Sequence, residues 1–140
     1  MWEPHPSVDF ERRLKKYSKR HRQETLNALA NLATYLEGLR AGLTPQKLIR
    51  GWVHAEPKGI KAIDETGPKN PRKAIRLYVY PEEDRELLHV LLIGDKDTQS
   101  DDIKQCSVFV DNLLANSRDK QSENSKESET YDQASQQAAG

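Results

Sequence analysis

Between Asp9 and Arg40 the chain has no proline and a single glycine, Gly38, and its apolar residues recur every three or four positions. That spacing belongs to amphipathic helices and leaves this stretch of the chain little room for strands. Phe10, Leu14, Tyr17 and His21 form one stripe, and Leu26, Leu29, Leu32, Ala33, Leu36 and Leu39 form a second, fuller one. A single helix of this length is long for a small domain. The stripe is weakest across Lys19–Glu24, and Ser18 is a good N-cap, so a break is expected there. The spacing predicts two helices, Asp9–Tyr17 and Lys19–Arg40, ending at Gly42. Thr44-Pro45 then opens a further helical turn through Ile49.

From Trp52 the period shortens. Val53–Glu56 and Gly59–Asp64 are short segments bounded by Pro57 and Gly67-Pro68. Ala74–Tyr80 alternates, with Ile75, Leu77 and Val79 on one face and Arg76, Tyr78 and Tyr80 on the other. Pro81–Asp84 reads as a polar turn, and Glu86–Ile93 as a strand apolar on both faces, which suits a central position. Ser100 or Asp101 caps a last helix along which Ile103, Cys106, Phe109, Val110, Leu113 and Leu114 keep helical spacing. The expected fold is α+β: an N-terminal helical hairpin packed on a small antiparallel sheet of three to four strands, with a closing C-terminal helix.

Asn116–Gly140 contains no Leu, Ile, Val, Phe, Met or Trp. Such a segment buries too little apolar surface to offset its ordering entropy, so residues 1–115 are expected to form the folded domain and 116–140 a disordered polar, acidic tail. The formal charge of zero hides an asymmetry. Met1–Tyr80 carries 16 Lys+Arg against 8 Asp+Glu, and Pro81–Gly140 carries 6 against 14. A basic half attracts phosphate, and an acidic tail can shield it. The lone Cys106 excludes an internal disulfide and any Cys-based zinc site. Met1–Pro6 lacks the apolar run of a signal peptide, and Leu87–Ile93 is too short to span a bilayer, so the cytoplasm is the expected compartment.

Particular motifs narrow the reading. AIRLYVY at Ala74–Tyr80 is followed by Gly94-Asp95-Lys96 directly after the last expected strand, and Thr98-Gln99 and Asp102-Ile103 then open the final helix. Upstream stand the glycine-led KGIKAI of Lys58–Ile63 and the N-terminal HPSVDFERRLKKYSKRHRQETLNALANL. Together, over about residues 5–115, these resemble the RelE/HigB/ParE toxin superfamily. The resemblance implies the toxin of a type II toxin–antitoxin system, a RelE- or HigB-like enzyme that cleaves mRNA in the ribosomal A site without a metal or other cofactor. In that reaction the ribose 2′-hydroxyl attacks the adjacent phosphate. A base removes its proton, cations hold the phosphorane charge, and an acid protonates the leaving 5′-oxygen. By resemblance Lys61, Arg76 and Lys96 are the catalytic cations. Lys58, Lys69, Arg72, Lys73, Tyr78 and Gln99 are candidate RNA contacts, Tyr78 because an aromatic beside arginine can stack a base.

Such enzymes place a tyrosine or histidine in or beside the last helix, and Asp101–Ala115 contains neither; the family's usual first strand is shortened here to Trp2-Glu3-Pro4, where Pro4 lacks an amide. The alternative is therefore a non-catalytic protein of the same fold, a topoisomerase inhibitor or a non-toxic homologue. His5, His21, His54 and His89 show no metal-ligand spacing. His54, two residues before Glu56, is the one open to a role in proton transfer, whereas His89 and Cys106 read as core residues. Trp52 reads as core rather than as a base platform. The implied partners are a cognate antitoxin, mRNA and the ribosome, with no membrane and with oligomers formed only through the antitoxin.

Overall fold

The structure, a computed structural model, describes residues 1–66 and 74–134, with side chains described through Ser117. The elements run β1 (Glu3–Pro6), α1 (Val8–Arg20), α2 (Arg22–Arg40), β2 (Val53–Ala55), β3 (Lys61–Asp64), β4 (Arg76–Glu82), β5 (Leu87–Gly94) and α3 (Gln99–Ala134). The class is α+β. Two compact units divide the chain: Met1–Ser107 carries the sheet, the hairpin and the start of α3, and Val108–Gly140 is the other. In the second unit the backbone stays helical to Ala134, through much of the segment expected to be disordered. Its Lys, Glu, Gln and Ala residues are good helix formers, and extending a nucleated helix costs little per residue.

The sheet differs from expectation in size and sense. It has five strands in the order β1-β5-β4-β3-β2, and β1 runs parallel to β5, so it is mixed rather than wholly antiparallel. A strand also precedes the helical hairpin. β1 is possible despite two prolines because it lies at the edge. The amides of Glu3 and Ser7 donate to the carbonyls of Glu86 and Val90. Pro4 and Pro6 occupy the alternate positions, whose amides would point away from β5. The expected turn at Pro81–Asp84 shifts to 83–86, and Pro81 is a buried member of β4 opposite Leu88. It is tolerated there because β3 begins its pairing only at Lys61 and Val79, leaving that end of β4 without a neighbour on one side.

Ser7 caps α1 by accepting from the Phe10 amide at 2.9 Å. The break between helices falls at His21 rather than at Ser18. The buried Thr25 hydroxyl donates to the Tyr17 carbonyl (3.2 Å) and the Thr25 amide to the His21 carbonyl, so the bend is fastened from the α2 side. On α2 the buried stripe is Thr25, Ala28, Tyr35 and Leu39, with Leu29, Leu32 and Leu36 flanking it; Leu26 is largely exposed. The turn expected at Thr44–Ile49 closes with Thr44 O bound by the Lys47 and Leu48 amides but does not continue as a helix. α1 and α2 cover one sheet face, where Ile63, Leu77, Val79, Leu88, Val90 and Ile93 join Phe10, Tyr17, Tyr35 and Leu39 in the main core. Trp52 packs partly buried against it. A bulge at Leu91 then resets the alternation of β5, since Tyr78 pairs with Leu92 but Val79 with Val90.

Candidate active site

Strand register decides which candidate residues can meet. His54 pairs with Ala62, Ala62 with Tyr78, Asp64 with Arg76, and Arg76 with Gly94. Alternation puts His54, Asp64, Arg76 and Tyr78 on the sheet face opposite the hairpin. Lys61 pairs with Val79, a core residue, and so belongs to the hairpin face. Lys61 and Arg76, expected to work together, therefore lie on opposite sides of the sheet.

What the register does assemble is a row across three strands. His54 Nε2 lies 2.6 Å from Asp64 Oδ2, and Arg76 Nε lies 2.8 Å from Asp64 Oδ1. Asp64 Oδ1 is buried without a hydrogen bond, so this second contact is an ion pair whose N–H points off the oxygen. Glu56 adds a longer contact to Arg76 at 3.8 Å. His54 keeps 43 % of its side chain exposed and Arg76 only 23 %. The imidazole is thus the open end of the row, and the guanidinium is its sheltered end, flanked by two carboxylates.

The other candidates separate. Lys96 is exposed in the loop after β5, which ends at Gly94 opposite Arg76. Gln99 is the half-buried first residue of α3. Lys58 is exposed in the turn between β2 and β3 with a left-handed backbone (φ 64°). Tyr78 has no exposed surface, so base stacking is closed to it; its hydroxyl is buried without a hydrogen bond, and burial, with a lesser push from Asp102, raises its pKa. Lys69, Arg72 and Lys73 lie outside the described residues. Among the described residues no cluster of His, Cys, Asp and Glu could hold a metal ion, and no helix is long and apolar enough to cross a membrane.

The GDKDTQSDDI stretch has a different task, visible only in three dimensions. Asp102, 1 % exposed, accepts from Arg13 of α1 at 2.7 Å and from the Thr98 hydroxyl at 2.6 Å. Arg13 also donates to the Ile93 carbonyl. Asp95 accepts from the Tyr17 hydroxyl at 2.8 Å and from the Asp97 amide, closing the loop that begins α3. Burial and then the Asp95 carboxylate push the Tyr17 hydroxyl up to about 12. A Cβ at Gly94 would strike the Asp102 carboxylate and stand 2.6 Å from the Thr98 hydroxyl, so glycine there is required by contact. Thr98, rather than Ser100 or Asp101, precedes the first turn of α3. Asp95, Asp102, Arg13 and Tyr17 were not singled out as a set by sequence spacing, since they come from segments about eighty residues apart.

His89 is buried, as its place on the most apolar strand suggests, and lies 2.8 Å from Glu82. The rings of His5 and Tyr80 flank it at 5.5 and 6.1 Å. Burial lowers its pKa against the opposing pull of Glu82, which is itself held down by its bond from Arg85 and, less, by that to His89. Cys106 is buried, which pushes its thiol up to about 12. Comparison with protein-family models, with curated proteins and with solved structures gives no match.

Proposed function

We propose that the chain is a RelE/HigB-type toxin of a type II toxin–antitoxin system that cuts mRNA on the ribosome, and that His54, Asp64 and Arg76 are its chemical centre. The observation that carries the proposal is the contiguous imidazole–carboxylate–guanidinium row on three neighbouring strands. Metal-independent RNA cleavage needs a proton acceptor, a proton donor and a fixed cation. The Asp64 carboxylate orients the His54 ring through Nε2 and leaves Nδ1 for substrate. His54 then takes the 2′-hydroxyl proton as the 2′-oxygen bonds to phosphorus. Breaking the bond to the 5′-oxygen leaves a cyclic phosphate, and the leaving oxygen collects a proton from the same imidazolium or from water. Arg76, fixed by Asp64, supplies positive charge beside the phosphorane, with Lys96 at the same end of the sheet. The role falls to His54 because the last helix has no tyrosine or histidine over Asp101–Ala115. The hairpin, the β2–β5 meander and the closing helix support the resemblance that names the substrate.

The test is cleavage of mRNA programmed on purified ribosomes by the full chain. Cutting is expected, and His54→Ala should reduce its rate by roughly 10²–10⁴, the usual worth of a general acid–base. Intact mRNA with wild-type protein would sink the proposal. A second reading is favoured by the carboxylates on both sides of Arg76: a non-catalytic protein of the same fold that acts by binding, such as a topoisomerase inhibitor. It predicts loss of supercoiling activity with mRNA untouched. Either reading expects an antitoxin, which co-purification with the product of the adjacent reading frame would reveal.

A further inference from the structure

The cations that the fold leaves free are not those of the candidate centre. Residues 12–22 contain seven Lys or Arg and no Asp or Glu. Arg13 is taken by Asp102 and Arg12 by Asp9. Lys15, Lys16, Lys19, Arg20 and Arg22 are all exposed, and among the described residues none has a carboxylate within ion-pair distance. Four of them form two adjacent rows on α1, Lys15–Lys19 and Lys16–Arg20, each four residues apart and so about 6 Å along the helix. Arg22 begins α2 just past the bend at His21. Cations near a helix C-terminus complement its dipole, but that effect fades within the last turn and does not account for Lys15 and Lys16.

We infer that the outer face of the α1–α2 bend, Lys15, Lys16, Lys19, Arg20 and Arg22, is a docking surface for the phosphate backbone of a structured RNA, separate from the His54 row. The chemistry favours nucleic acid over a membrane or a protein. Phe10 and Tyr17 of α1 are buried in the core and Leu14 is partly buried against it; the one exposed apolar residue, Val8, stands at the far end of the helix from the cations, so the cationic stretch has no free apolar side to place in a bilayer. Between Glu11 and Gln23 no large apolar residue is exposed, and a protein interface lacks its usual buried anchor there. Evenly spaced, unpaired cations with no apolar neighbour suit a repeating anion read without regard to sequence. The choice of RNA rests on the proposed function; the surface does not.

The test is fluorescence anisotropy of the full chain with a labelled RNA stem-loop. Neutralising about four phosphates should give a log–log salt slope near −3.6, or roughly a hundred-fold weaker binding between about 50 and 200 mM salt. The quadruple variant Lys15→Gln, Lys16→Gln, Lys19→Gln, Arg20→Gln should keep the wild-type circular dichroism spectrum and lose most of that slope. Lys47→Gln, which removes an exposed cation in the loop after α2, should bind as wild type does. A quadruple variant with unchanged affinity and slope overturns the inference, as does wild-type binding to phosphatidylserine vesicles or to polyglutamate in preference to the stem-loop. A strong preference for a DNA duplex of equal length overturns the assignment to RNA. A chain that binds the stem-loop in this way but leaves ribosomal mRNA intact refutes the catalytic reading and keeps this one.

Discussion

Removing the Asp102 carboxylate should be the most damaging single change outside the hydrophobic core. Asp102 is 1 % exposed and holds two donors, Arg13 at 2.7 Å and Thr98 at 2.6 Å. Deleting one partner of a buried ion pair costs about 3–5 kcal/mol, because the other charge is left without compensation. Arg13 is 28 % exposed and keeps a hydrogen bond to the Ile93 carbonyl, so its stranded guanidinium can still reach water. That brings the charge contribution down to about 2 kcal/mol. Loss of the short Thr98 hydrogen bond adds up to about 1 kcal/mol, the hydroxyl keeping its contacts with the Asp95 backbone. Asp102→Ala should therefore lose about 3 kcal/mol. At a urea m-value of about 1.5 kcal/mol/M the midpoint falls by about 2 M. Asp102→Asn retains an acceptor for Thr98 and should lose only about 2 kcal/mol. Urea titration followed by circular dichroism measures both, and a double-mutant cycle with Arg13→Met isolates the pair, with a coupling of at least about 1 kcal/mol expected. A loss below about 1 kcal/mol for Asp102→Ala, or no coupling to Arg13, would show that the contacts do not fasten α1 to the start of α3.

Gly94→Ala drives a methyl group into Asp102 and Thr98 and should destabilise by about 2 kcal/mol or more, read by the same titration. Tyr35→Phe removes a buried hydroxyl with no hydrogen-bond partner and should leave stability unchanged or raise it by up to about 1 kcal/mol; a clear loss would reveal a missed partner. Cys106, buried and with its thiol pushed up to about 12, should react with a thiol reagent only at the rate of unfolding, and immediate labelling of native protein would contradict its burial. Burial lowers the folded-state pKa of His89 below the ordinary value of 6.5, so the unfolded chain takes up the proton first. Its share of stability is complete above pH 6.5 and is lost as pH falls from there through the lower folded value. Melting temperatures between neutral and mildly acid pH should drop in wild type and drop less in His89→Gln, and equal slopes would assign the loss elsewhere.

The parts of the fold legible in the sequence are those set by local periodicity. The hairpin helices, the alternation of Arg76–Tyr80 and the two-sided apolar strand at Leu87–Gly94 all follow from spacing. What periodicity misses is pairing. Nothing local in EPHP announces a strand, since it has two prolines and all four residues are exposed. It exists because β5 leaves one edge open and the prolines fall at the outward positions. The bend falls at His21 and not at Ser18, a good cap in isolation, because Ser18 stays exposed in the last turn of α1 while Thr25 ties the turn from the far side.

The candidate site divides along the same line. That Arg76 shares a face with Tyr78 and Tyr80 is a matter of alternation and was readable. That Lys61 belongs to the other face depends on which residue of β4 it meets, and composition does not show that register. The same register brings Asp64 opposite Arg76 and within reach of His54, although the three residues span more than twenty positions of sequence. The resulting electrostatics invert the expectation drawn from charge alone. Arg76 is the most motif-like cation of the chain and is flanked by two carboxylates, whereas the lysines of α1, which belong to no motif, carry their charge unopposed into solvent. A cation held by carboxylates is a poor collector of distant phosphate, because the local field it could offer is largely cancelled, but it is well fixed for one phosphate delivered to it. Exposed, unpaired cations have the opposite character: they gather polyanions over a Debye length and impose little geometry. Capture by the α1–α2 bend and positioning by the His54–Asp64–Arg76 row are therefore separable, and charge-removing changes in α1 should raise the RNA concentration needed for half-maximal cleavage while leaving the rate at saturation unchanged.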